Sequence, residues 1–170
     1  KHEVSASYIV GCDGARSLTR NYINSNVEDL GFQEAWLVVD LILKNPEINS
    51  SRESFHYCEL ERSASSAFVG FERKRWEFRL NPSDIAEEIT KPRNVWKLLK
   101  RWIGPEDAIL ERATVYTFES LIAKQWRESR ILIAGDAAHQ TPPFMGQGMC
   151  AGIRDVANLG WKFDRIINKN

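Results

Sequence analysis

The residues best suited to chemistry lie in one stretch, residues 131–149, Ile-Leu-Ile-Ala-Gly-Asp-Ala-Ala-His-Gln-Thr-Pro-Pro-Phe-Met-Gly-Gln-Gly-Met. An apolar run of strand length, 131–134, stops at Gly135-Asp136. The double proline Pro142-Pro143 and a turn spaced by Gly146 and Gly148 then lead into a helical pattern near Met149. In open α/β sheets, ligands sit outside the carboxyl ends of strands, and helix starts attract anionic groups. Asp136 can accept hydrogen bonds from sugar-like hydroxyls at such a place. The unpaired N–H groups from Gly148 to Cys150 can meet a carbonyl or a developing negative charge. Taken alone, the same residues also read as a plain strand-to-helix turn with a capping Asp.

A second motif stands near the start, Tyr8-Ile9-Val10-Gly11-Cys12-Asp13-Gly14-Ala15-Arg16-Ser17. Together the two resemble the Asp-Gly and Gly-Asp motifs of the FAD-dependent aromatic hydroxylases, the single-component flavoprotein monooxygenases. Residues 36–40 (Trp-Leu-Val-Val-Asp), 115–118 (Val-Tyr-Thr-Phe) and 146–150 (Gly-Gln-Gly-Met-Cys) look most like the 3-(3-hydroxyphenyl)propionate hydroxylase branch. The resemblance covers nearly the whole chain. It implies FAD as cofactor, NAD(P)H and O2 as co-substrates, and a small phenolic substrate. In that chemistry NAD(P)H reduces the flavin, which captures O2 as a hydroperoxide that hydroxylates the ring, while the protein binds, orients and excludes water. No catalytic triad or metal cluster is expected. Another FAD-dependent oxidoreductase, such as a flavin-dependent halogenase, shares the second motif and stands as the alternative.

The resemblance also assigns residues. Asp136 matches the position that contacts the ribityl chain, and Asp13 the Asp-Gly aspartate, for which a structural turn role is an equal reading. Arg16 can meet a phosphate or form a surface ion pair. Pro142 and Pro143 stiffen the loop beside the isoalloxazine, and Gly146 and Gly148 allow close backbone approach. Met149 and Cys150 offer N–H groups at the helix start. Gly14, Gly135 and Met145 complete the expected cofactor-binding set. His139 reads as structural, and His2 and His56 have no catalytic pattern around them.

The family opens with a G-x-G-x-x-G turn that holds the FAD pyrophosphate, and no such pattern occurs in these 170 residues. The expectation is therefore an internal segment of a larger enzyme that alone is inactive, lacks half of the FAD site, and leaves an open apolar edge on its parallel sheet.

Composition excludes other classes. Hydrophobic residues at 43% and charged residues at 27% suffice for a packed core and argue against disorder. With 23 basic and 23 acidic residues, bulk charge favours neither nucleic acid nor an anionic membrane. No apolar run reaches membrane-spanning length. Cys12, Cys58 and Cys150 are widely spaced, which suits reduced thiols and a cytoplasmic protein rather than a disulfide framework.

These residues need elements to hold them. Alternation predicts strands at 4–10, 36–43, 54–60, 67–71, 75–80 and 110–118, with a tight turn at 72–74. Helices are expected at 17–22, 83–90 with Ser83 as N-cap, 94–102 and 149–167. The six tryptophans read as packing residues. The fold class is α/β (mixed α+β): part of a Rossmann-like FAD-binding domain, 1–30 and 126–170, with an inserted antiparallel substrate-binding sheet at 31–125.

Overall fold

The computed structural model describes residues 2–49 and 52–168. In chain order the elements are β1 (Ile9–Gly11), α1 (Leu18–Tyr22), β2 (Val27–Leu43), β3 (Phe55–Tyr57), β4 (Ala64–Phe68) and β5 (Arg73–Arg79). Then follow α2 (Ala86–Ile89), α3 (Pro92–Leu99), β6 (Ala108–Ala123), β7 (Arg127–Glu128), β8 (Ile131–Ile133), β9 (His139–Gln140) and α4 (Gln147–Asn168). Two compact units emerge, one of Lys1–Gln33 with Phe118–Asn170, the other Glu34–Thr117, and their borders fall inside β2 and β6.

The antiparallel unit is built on β2. Its odd residues Leu37, Val39, Leu41 and Leu43 join Trp76 and Phe78 of β5 in a core closed by Ile89, Val95, Leu99 and Ile103. Each such buried side chain contributes roughly 1.5–3 kcal/mol. β5 pairs with β2 from Trp36↔Arg79 to Ile42↔Arg73, β4 adds to β5, and β3 to β4. Pro92 occupies the first turn of α3, where its missing N–H costs nothing. Val95 and Leu99, one turn apart, then bury the inner face of that helix. On the other face of β2, Asp40 is 9% exposed and meets Arg75 Nε at 2.7 Å and Arg112 Nη2 at 2.6 Å. Burial opposes its charge, yet the hydrogen bonds from Arg75 and Arg112 outweigh that and hold the carboxyl below its usual range.

In the other unit β8 lies between β1 and β7, parallel to β1 from Ile9↔Ile131 to Gly11↔Ile133 and antiparallel to β7. β1 thus has one edge without a strand partner among the described residues. A small core of Ile23, Ala123, Ile133, Ala137 and Ala138 packs against Trp126 and Ile131. Ile9, Leu18 and Tyr22 remain 54%, 78% and 74% exposed around a hollow of about 440 Å³.

Several elements differ from the sequence expectation. The first strand spans only Ile9–Gly11, because its partner β8 is three residues long. β4 ends at Phe68, three residues early, since Gly70 at φ +135° opens the turn to β5. Ser83 caps no helix: the adjacent Asp84 carboxylate accepts from Arg62 at 2.7 Å and from the Asn81 N–H at 2.7 Å. These bonds fold 81–85 into a turn, and α2 starts at Ala86. Trp161 is 52% exposed, with Arg165 and Lys162 over its ring, and does not pack as a core residue.

Candidate flavin site

The site residues lie in the parallel-sheet unit, at the carboxyl ends of β1 and β8. β1 ends at Gly11, where the closeness of Thr19 allows no side chain: a Cβ there would lie 2.4 Å from the Thr19 Cβ. The chain then turns through Asp13-Gly14 into α1. Asp13 organises that turn. It accepts from Ser17 Oγ at 2.5 Å, the Thr19 N–H at 2.9 Å and Thr19 Oγ1 at 3.1 Å. The Ser17 hydrogen bond, then that from the Thr19 N–H, lowers its carboxyl to about 2. Ser17 in turn caps α1 by accepting from the Arg20 N–H at 2.9 Å.

Past β8 the chain enters a 3-10 turn, Gly135–Ala137, whose first residue adopts φ +63°, a conformation suited to glycine. Two residues unforeseen in the sequence hold this turn. Arg20 donates from Nη1 to the Ala137 carbonyl at 3.0 Å and from Nη2 to the Ala15 carbonyl at 2.7 Å, fastening the Asp13 loop to the Gly135 turn. Asp155 of α4 accepts the Gly135 N–H at 2.9 Å, and His139 Nε2 meets the same oxygen at 2.7 Å. His139 is 12% exposed and braces this carboxylate. Gly152 brings α4 close, since a Cβ there would stand 3.3 Å from the Gly135 Cα. Gly152 and Asp155, three residues apart on one helix face, were the available signal for this contact.

Between these parts lies a cleft of about 340 Å³ whose lining includes Cys12, Gly14, Gly135, Asp136, Met149 and Gly152. Larger hollows, of about 400 and 440 Å³, involve none of the expected site residues. Asp136 is exposed, and no described residue partners its carboxylate. Met149 is 76% exposed. Arg16 is exposed and outside the cleft lining, and the half-buried Pro143, Gly148 and Cys150 also lie outside it. Pro143 begins a second 3-10 turn, Pro143–Met145, which Gly146 ends at φ +61° by donating its N–H to the Pro143 carbonyl at 2.9 Å. The Met145 side chain falls outside the described part. α4 then begins at Gln147, two residues earlier than the spacing suggests.

A family described as FAD binding domain matches residues 1–170. The chain belongs to this FAD-binding domain family. A probable NADH-specific resorcinol 4-hydroxylase of Rhodococcus jostii (strain RHA1) is 42% identical over 96% of the chain and 31% of that protein. A 3-(3-hydroxy-phenyl)propionate/3-hydroxycinnamic acid hydroxylase of Paraburkholderia xenovorans (strain LB400) is 36% identical over 99% of the chain and 27% of that protein. The chain thus spans between a quarter and a third of the length of these relatives. Among solved structures, aklavinone-11 hydroxylase in complex with FAD and aklavinone superposes with a TM-score of 0.79 at 24% identity, over 95% of this chain and 31% of that one. That likeness shares the mixed helix-and-sheet fold.

The chain carries features that fit part of FAD. An unpartnered carboxylate at Asp136 can accept from polyol hydroxyls. Glycines at 14, 135 and 152 leave parts of the cleft wall without side chains, and Met149, near the start of α4, also lines it.

Proposed function

We propose that the protein containing this chain is an FAD-dependent monooxygenase that uses NAD(P)H and O2 to hydroxylate a small phenolic substrate. One observation carries the reading: Cys12 and Gly14 of the first motif and Gly135 and Asp136 of the second, distant in sequence, line one cleft with Met149 and Gly152 of α4. The names of the relatives support it, because resorcinol and 3-(3-hydroxyphenyl)propionate are both phenols with a second substituent in the meta position.

FAD when bound supplies hydride acceptance and oxygen activation. The chain's own residues bind and orient. Asp136 accepts from the ribityl hydroxyls, and Gly135 and Gly14 let the backbone approach. Gly146 and Gly148 shape the loop after Pro142-Pro143, and the N–H groups of Met149 and Cys150 would serve as hydrogen-bond donors to the bound flavin. Asp13 acts on the cofactor through the loop it organises, and Arg16 is available to a phosphate. Substrate binding falls to the antiparallel region 31–125, whose compact body is Glu34–Thr117.

The test is isotopic. NAD(P)H oxidation should accelerate when resorcinol or 3-(3-hydroxyphenyl)propionate is added, and one ¹⁸O atom from ¹⁸O2 should enter the product. Label arriving from water instead would remove the monooxygenase reading.

A further inference from the structure

Asp155 is surrounded by features that do not belong to an ordinary helix surface. Its side chain is 18% exposed, and one of its oxygens receives both the Gly135 N–H and His139 Nε2. Gly135 is the residue whose left-handed φ sets the direction of the following Asp136. His139 belongs to β9, which is paired to β6 through Ile122↔His139, and its ring lies 5.5 Å from that of Trp126. One carboxylate therefore joins three elements: α4, the Gly135–Ala137 turn and β9. Gly152, three residues earlier on the same helix face, provides the close approach that makes this reach possible.

We propose that Asp155 is a positioning residue for the cofactor: by accepting the Gly135 N–H while braced by His139, it fixes the turn that presents Asp136 to the flavin. This rests on the flavin reading of the cleft given above. The physical reason is that an N–H withdrawn partly from solvent needs a partner, and the turn has two ways to be held. Arg20 takes its carbonyl end and Asp155 its N–H end. Without Asp155 the Gly135 peptide can rotate to seek water, and Asp136 turns with it. A charged acceptor is also stronger than a neutral one, and the His139 contact keeps it from swinging toward solvent.

The test is a double-mutant cycle on FAD affinity in the flavoprotein carrying this chain, read by flavin fluorescence on the apoprotein. Asp155→Ala should weaken FAD binding roughly tenfold. In an Asp136→Ala background the same change should cost no more than about twofold, because Asp155 acts through Asp136 and the effects do not add. Asp155→Asn, which keeps an acceptor oxygen, should recover most of the affinity. Fully additive losses, or Asp155→Asn binding as poorly as Asp155→Ala, would overturn the assignment. Should Asp155→Ala fail to fold, His139→Ala carries the cycle, with a loss of about threefold that vanishes in the Asp136→Ala background. Its persistence there, or its absence in the parent, counts against the proposal. If Asp136→Ala alone leaves FAD binding unchanged, the flavin reading of the turn fails; if only the coupling is missing, that reading stands and Asp155 is merely structural.

Discussion

The Arg20 guanidinium donates to the Ala137 carbonyl at 3.0 Å, across 117 residues of sequence, and thereby ties the Asp-Gly loop to the Gly-Asp turn. Its second nitrogen holds the Ala15 carbonyl at 2.7 Å. Arg20→Met keeps the aliphatic stem and removes both bonds. The expected cost is about 2 kcal/mol of unfolding free energy, together with weaker FAD retention. Denaturant titration and flavin content of the purified variant check both, and a variant with unchanged midpoint and unchanged flavin would contradict the role.

Asp13 gives a pH signature. Its carboxyl is lowered from 3.8 to about 2, chiefly by the Ser17 hydroxyl. A group with a depressed folded-state value contributes stability above its unfolded value and loses it as pH falls through the folded one. The stability difference between the parent and Asp13→Asn should thus be constant above pH 4 and shrink between pH 4 and 2. Thermal unfolding across that range checks it, and a difference that is flat down to pH 2 would refute the capping geometry.

Much of this was legible from local patterns. The short helix after Ser17, the alternating core of β2 and the long α4 follow from residue types at short spacing. Of the two motifs, Cys12, Gly14, Gly135, Asp136 and Met149 line one cleft, while Asp13, Arg16, Pro143, Gly146, Gly148 and Cys150 do not. What escaped was decided at a distance. Ser83 looks like a helix cap until Arg62 engages its neighbour Asp84. β7 and β9 hold two residues each and exist only through their partners. Arg20 and Asp155 look like surface charges on helices, because a contact between segments far apart leaves no periodic trace.

Asp40 tests the antiparallel unit separately. Asp40→Asn leaves Arg75 and Arg112 facing each other with a weaker acceptor between them. Since both arginines are about 40% exposed, solvent discounts the loss to about 2 kcal/mol. Unfolding of the variant should shift accordingly, and its sensitivity to salt should fall.

The segment Lys1–Asn170 by itself should bind FAD poorly, since the proposed contacts reach only the ribityl and ring end and β1 has one edge without a strand partner among the described residues, beside exposed Ile9, Leu18 and Tyr22. Flavin fluorescence titration should show no saturation at micromolar FAD. Tight binding would place the affinity in these residues alone.

The most direct test of the account is Asp136→Ala in the flavoprotein that carries this chain. Loss of a charged acceptor for the ribityl hydroxyls is worth roughly 1.5–3 kcal/mol, or about a ten- to hundredfold weaker FAD dissociation constant. The account predicts a variant that folds with the parent's thermal stability as apoprotein but purifies depleted of flavin. A variant that purifies with full flavin occupancy and the parent's dissociation constant would contradict it.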